Sequence, residues 1–237
     1  TIGISSGAHA NETGTISVCL GALDHIDITG TTTITAGDYT NLTAEGFDKD
    51  GNPVPFTALI WASSGGMVDE WGNFTATVAD QYTVWANDSG VSSSIEITVT
   101  AGVLDHISIL PSTPTMTVGS TVYFTAQGYD LHDNPVAFTS LSWDSDGGMI
   151  DAWGNFTTTA SGIYTIWAND TGISGNTTIT VDPASLDTIV ITGTDHIIAG
   201  GHTNLSAQGY DIFDNPVGFT ALSWDSSGGT IDIWGNF

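Results

Sequence analysis

Positive charge is almost absent from this chain of 237 residues: Lys49 is its one lysine or arginine, against 26 aspartates and glutamates. Nucleic acid and anionic lipid, which are bound through Lys and Arg, are thereby excluded as electrostatic partners, and cations become the natural ones. Cysteine is as scarce. Cys19 stands alone, so no intrachain disulfide forms, and it reads as a small buried strand residue. No apolar run approaches 18 residues and no signal sequence is visible, so no helix of this segment is expected to span a membrane. Helical periodicity of useful length is missing. So are the G-x-S-x-G, H-E-x-x-H, P-loop and dinucleotide motifs, and none of the six histidines (His9, His25, His106, His132, His196, His202) adjoins a candidate nucleophile. An enzyme is not expected, and no cofactor is required.

What is present is a folded β composition. Only 11% of residues are charged, eight Trp and nine Phe supply core material, and Thr, Ser and Gly fill much of the rest. The stretch GGMIDAWGNFT (147–157) recurs as GGMVDEWGNFT (65–75) and GGTIDIWGNF (228–237), and LDHI or LDTI recurs at Leu23, Leu104 and Leu186, with spacings of 81 and 82. A repeat that long is a domain rather than a solenoid turn. Within it, runs such as YTVWAND (82–88) and SIEITVTA (94–101) alternate apolar and polar residues with period two, and Gly, Pro or Asn interrupts them. Seven short strands in about 80 residues predict an all-β fold of tandem immunoglobulin-like antiparallel sandwiches. In the second repeat the strands are expected at 106–110, 122–129, 138–143, within 147–156, at 162–169 and at 175–181. Trp143, matched by Trp61 and Trp224, should be the buried indole of each core.

The ends break the pattern. Domains are expected at 23–103 and 104–185, with 186–237 an incomplete third sandwich that lacks the final strands. Residues 1–22 resemble those missing strands: ISVCLGALDHI echoes ITVTAGVLDHI, and HANETG echoes WANDSG. Two explanations stay open. Either 1–22 of one copy completes 186–237 of the next by strand addition, a head-to-tail contact that propagates into a filament, or the segment belongs to a longer continuous array.

The order LDHI, GYDxxxNPV, SWDSxGGxID, GNFT, YTIWANDTGISG, ITV resembles the tandem bacterial-type immunoglobulin-like (Big, invasin/intimin-like) domains of prokaryotic surface proteins, particularly archaeal S-layer and adhesin-like chains. The resemblance covers nearly the whole sequence. It implies an extracellular or cell-surface location and a role as stalk, spacer, adhesion module or filament subunit. Trp85, Trp167 and Trp153 depart from it, standing where smaller or polar residues are usual.

Asparagine carries the sharpest local signal. Of twelve Asn, three precede Pro (Asn52, Asn134, Asn215) and Asn236 precedes Phe237; each of the other eight opens an Asn-x-Ser/Thr sequon: Asn11, Asn41, Asn73, Asn87, Asn155, Asn169, Asn176 and Asn204. In a chain this rich in Ser and Thr, eight of eight arises by chance on the order of once in ten thousand. N-linked glycans are therefore expected partners. Alternation turns Asn41 outward, puts Trp85 and Asn87 together on an outer face, and does the same for Trp167 and Asn169. Outward Trp suits stacking on the chain's own glycan, packing between copies, or a foreign carbohydrate.

The second signal is acidic. In this topology Asp24, Asp48, Asp50 and Asp88 of the first repeat, and Asp105, Asp130, Asp133 and Asp170 of the second, fall at one pole, where a hard cation such as calcium would suit them. The alternative is a set of aspartates chosen for turns. Together these features describe a glycosylated, non-enzymatic subunit of a surface filament or S-layer-like fibre, with copies of itself as partners. The alternative is an adhesin or carbohydrate-binding stalk that uses its outward Trp. Intact mass should fall on chemical deglycosylation by the mass of several glycans; an unchanged mass removes the glycoprotein reading.

Overall fold

The computed structural model describes residues 2–4, 12–14 and 19–237. Among them every regular element is a β-strand. The chain divides into two compact units, one of residues 1–103 with the loop 130–134, the other of 104–129 with 135–237. Of the terminal strands expected over 1–22, β1 (Ile2–Ile4) and β2 (Glu12–Gly14) form an antiparallel pair. Asn11 and the expected strand residues 16–18 lie outside the described residues. Cys19 is exposed, contrary to the expectation of burial. The echo of ITVTAG explains it, since Cys19 aligns with Thr100, which points outward beside the inward Val99.

The first unit contains β3 (His25–Thr29), β4 (Thr33–Thr35), β5 (Tyr39–Asn41), β6 (Thr43–Phe47), β7 (Pro53–Val54), β8 (Ile60–Ser63), β9 (Met67–Val68), β10 (Asn73–Thr75), β11 (Gln81–Asp88) and β12 (Val91–Thr100). One layer is built from the β3-β6-β7 and β5-β10-β9 pairings; β5 and β6 are one strand interrupted at Leu42, whose amide donates to the Gly72 carbonyl. The facing layer is β4-β12-β11-β8, with β4 parallel to β12. Between them lie Ile34, Leu42, Phe74, Ala76, Val84, Ile97 and Val99.

The second unit repeats the plan with β13 (His106–Leu110), β14 (Thr115–Thr117), β15 (Thr121–Tyr123), β16 (Thr125–Tyr129), β17 (Pro135–Val136), β18 (Ser142–Ser145), β19 (Met149–Ile150), β20 (Asn155–Thr157), β21 (Gly162–Asp170) and β22 (Ile173–Asp182). Period-two sequence gives period-two burial: in β13, Ile107 and Ile109 are buried while His106, Ser108 and Leu110 are exposed. One layer joins β13-β16-β17 to β15-β20-β19 and the other is β14-β22-β21-β18, an immunoglobulin-like sandwich. Tyr164 adds a hallmark of the fold. At the start of β21 its hydroxyl donates to the Ala160 carbonyl (2.9 Å), as Tyr82 does to Val78 (2.9 Å).

Three features differ from expectation. The short β4 and β14, each passing to the opposite layer to run parallel with the last strand, have no recognisable period. The strand expected at 138–143 forms at Ser142–Ser145. Trp61 and Trp143 are half-buried at the margin of their cores, and the fully buried bulk is Phe74, Phe124 and Phe156 instead. A glycine accounts for the margin position. Gly154 (φ 88°) lies against Trp143, and a Cβ there would collide with the Phe124 carbonyl, so the indole is held beside backbone.

In the third repeat, β23 (Thr188–Thr192), β24 (Ser206–Tyr210) and β25 (Pro216–Val217) form one sheet, and an isolated bridge joins Asn204 to Asn236. Within 186–237 nothing corresponds to β21 and β22. Ile191, Ile197, Leu205, Trp224, Ile231 and Phe237 therefore line an open groove of about 480 Å³. Leu205 and Phe237 are half-buried, whereas their counterparts Phe124 and Phe156 are sealed.

Phe156→Ala should cost about 3–5 kcal/mol of stability in chemical denaturation. A loss under about 1 kcal/mol would show that the core is not centred there.

Candidate functional site

One five-residue device occurs six times: Asp48–Asn52, Asp69–Asn73, Asp130–Asn134, Asp151–Asn155, Asp211–Asn215 and Asp232–Asn236, each Asp-x-x-Gly/Asp-Asn. In every copy the aspartate Oδ1 accepts the amides of the second and fourth residues after it; in 130–134 these are His132 (2.8 Å) and Asn134 (2.9 Å). The terminal Asn Nδ2 donates back to the same carboxylate. The fourth residue has positive φ in all six, hence Gly, or Asp at 133 and 214. Neutral amide donors thus solvate an anion that this chain has almost no cation to pair.

The copies differ in what surrounds them. In the second unit, Asn215 is buried: its Oδ1 accepts the Ser161 amide (2.7 Å), and its Nδ2 donates to the Thr159 carbonyl (2.9 Å). Asp211 Oδ2 accepts the Ala184 amide (2.8 Å), and the Phe213 ring stands against Gly119, 3.1 Å from where a Cβ would be. Within the first unit the loop 130–134 does the same. Asn134 bonds the Ala79 amide (2.7 Å) and the Thr77 carbonyl (2.8 Å), Asp130 accepts from Gly102 (2.7 Å), and His132 occupies the space where a Cβ on Gly37 would stand. Asp48 accepts from Gly21 (3.0 Å), but Asn52 is exposed. The other three copies put Trp71, Trp153 and Trp234 at their tips, 73%, 75% and 77% exposed. Trp153, one of the three Trp that depart from the family pattern, thus stands at a loop tip.

These bonds set the acidity. The Asn52 amide and side chain hold the Asp48 carboxyl below its ordinary range, and the Asn73, Asn155 and Asn236 side chains do so for Asp69, Asp151 and Asp232. For Asp130 and Asp211 burial opposes the charge but is outweighed, by the Gly102 amide and Asn134 in the first case and by Asn215 and the Ala184 amide in the second, so both carboxyls lie low. Asp88 is lowered by the amides of Thr57 (2.9 Å) and Ala58 (2.8 Å). Asp170 receives the matching pair from Thr139 and Ser140.

Most of the eight aspartates considered for calcium already have partners within the fold. Asp48, Asp88, Asp130 and Asp170 are occupied by amides, Asp24 and Asp105 lie beside His25 and His106, and Asp50 and Asp133 are loop positions inside the device. Among the described residues no group of three or more His, Cys, Asp or Glu is placed to hold a metal ion. The Asp-x-x-Gly/Asp-Asn spacing is legible in the sequence, where it recurs twice in each repeat.

The sequons divide too. Asn41, Asn176 and Asn204 are exposed; Asn87 and Asn169 are half-buried beside Trp85 (38% exposed) and the half-buried Trp167. Asn73 is half-buried, and so is Asn155, which strand alternation turns outward for a sugar. Their Nδ2 atoms bond Asp69 (2.6 Å) and Asp151 (2.9 Å).

No protein-family model matches the chain. It is 28% identical over 209 residues to ice-binding protein 1 of Shewanella frigidimarina, an alignment covering 84% of this chain and 23% of that protein; the chain thus spans about a quarter of the relative's length. Among solved structures it is similar to the Escherichia coli adhesin FdeC (18% identity, 84% of this chain and 78% of that one, TM-score 0.46) and to domains 4–9 of the surface layer protein SbsC (17% identity, 84% and 38%, TM-score 0.36). The likeness is loose, and the sandwich assignment stands on the chain's own strand pairing.

Asn134→Ala or Asn215→Ala should cost about 1–3 kcal/mol, because each strands buried backbone groups, while Asn52→Ala should cost less; equal losses in denaturant titrations would contradict the distinction. The carboxyls are lowered in the folded state, so their stabilisation is complete above the ordinary carboxylate range and is lost as pH falls through the lowered one. The melting temperature should hold from pH 7 to about 5 and decline below about 4.

Proposed function

We propose that the chain is a structural segment of an extracellular surface array, a filament or S-layer-like fibre, in which immunoglobulin-like sandwiches are joined end to end by the Asp–Asn loops. The observation that carries this is the bonding of Asn215 to Thr159 and Ser161 and of Asp211 to Ala184, where a side-chain amide and a carboxylate engage backbone groups on both strand-flanking segments of the preceding repeat. Such a joint resists bending because it uses directional hydrogen bonds at two separated points. Exposed Asn52 offers the same amide to a further sandwich.

The groove of the third repeat takes the final two strands of its sandwich, either from the 1–22 segment of another copy or from continuation of the same chain. Strands added there would pair with the exposed edges of the third-repeat sheet. Glycans on the outward Asn face solvent along the array.

A second reading, carbohydrate recognition in an adhesin, is favoured by the protruding Trp71, Trp153 and Trp234. Glycan-array binding that Trp153→Ala abolishes would establish it. For the array, negative-stain micrographs of the purified chain should show threads, and a variant lacking residues 1–22 should show dispersed particles. Threads formed equally well by the deletion variant would exclude strand addition by that segment.

A further inference from the structure

The sequons are not equivalent acceptors, and one faces an indole. Asn176 lies on β22 directly opposite Trp167 of β21, with Asp144 of β18 on the other flank of the indole. Directly opposed residues project from the same face with Cβ atoms about 5 Å apart. Asn176 is exposed and Trp167 half-buried, so a sugar attached to the Asn176 Nδ2 begins beside a broad apolar ring. In the first repeat the corresponding Trp85 is opposed by Ser94 and Ala62, neither of which is an asparagine.

At Asn73 and Asn155 the reverse holds. Each amide nitrogen already donates to an aspartate, each backbone amide donates to the same carboxylate, and the middle residues of the two sequons, Phe74 and Phe156, are fully buried. A sugar there would replace one Nδ2–H inside a closed five-residue loop and crowd its carboxylate.

We propose that Asn176 carries a glycan whose first sugar packs on Trp167, and that Asn73 and Asn155 stay unmodified in the folded protein. The proposal rests on the glycoprotein reading above. Attachment forms a bond from the Asn176 Nδ2 to the anomeric carbon of an activated glycosyl phosphate, breaks that carbon's bond to the phosphate oxygen, and releases one Nδ2 proton with the phosphate.

Glycopeptide mass spectrometry on protein from its native source, cut with an aromatic-directed protease because trypsin has only Lys49, should find Asn176 occupied and Asn73 and Asn155 bare. Sugar on no sequon at all overturns both readings. Sugar on other sequons with Asn176 bare, or on Asn73 or Asn155, overturns this proposal and leaves the glycoprotein reading intact. Packing is read separately from melting of protein expressed in the native host. Asn176→Gln should lower the melting temperature by about 2–4 °C, equivalent to about 1 kcal/mol for a chain of this size. The same change in a Trp167→Ala background should have no effect. Equal drops in both backgrounds overturn the contact.

Discussion

A carboxylate that accepts two peptide amides within its own loop is the interaction on which the rest of this structure depends. A chain with one cation and no disulfide has few ways to hold turns rigid, and an uncompensated buried aspartate is costly. Peptide N–H groups supply the compensation without a countercharge. Each Asp-x-x-Gly/Asp-Asn loop satisfies its carboxylate from the second and fourth residues onward and closes with the asparagine side chain, so the acidity of the chain is in part its architecture.

What the loop does beyond holding a turn depends on where the sandwich puts it. At the corner after the β9 and β19 strands its tip is a Trp projecting into solvent, and its glycine is pressed against the inner Trp61 or Trp143. At 130–134 and 211–215 the asparagine is buried and reaches backbone fifty-odd residues earlier, and the tip residue settles on a glycine turn with positive φ. Glycine is required at 37 and 119 twice over, by backbone conformation and by the ring above it. The same local device thus serves as a corner in one place and as a clasp on distant backbone in another, and the difference lies in its surroundings.

Much of this was legible in advance. Strand β13 falls where alternation puts it, Phe156 points inward, and the repeats place equivalent elements at equivalent positions. Elements of two or three residues escaped notice: β4 and β14 are too short to show a period, and their parallel pairing with β12 and β22 joins segments more than sixty residues apart. Asn155, a strand residue followed by Phe-Thr, looks outward by alternation alone. The carboxylate four residues upstream claims its amide. Cys19 is exposed, as its alignment with the outward Thr100 implies.

The amino-acid sequence by itself determined the all-β class, the repeat length, the inward and outward faces of long strands, and the six carboxylate loops. All of these are set by neighbours within a few positions: side-chain alternation has period two, and the loop bonds span four residues. The folded layers, by contrast, set Trp167 opposite Asn176, bury Asn134 and Asn215 while Asn52 stays exposed, and leave Trp143 at the edge of its core. Those outcomes depend on strand register and on contacts between distant segments, and burial is a property of the assembled layers that no local pattern contains.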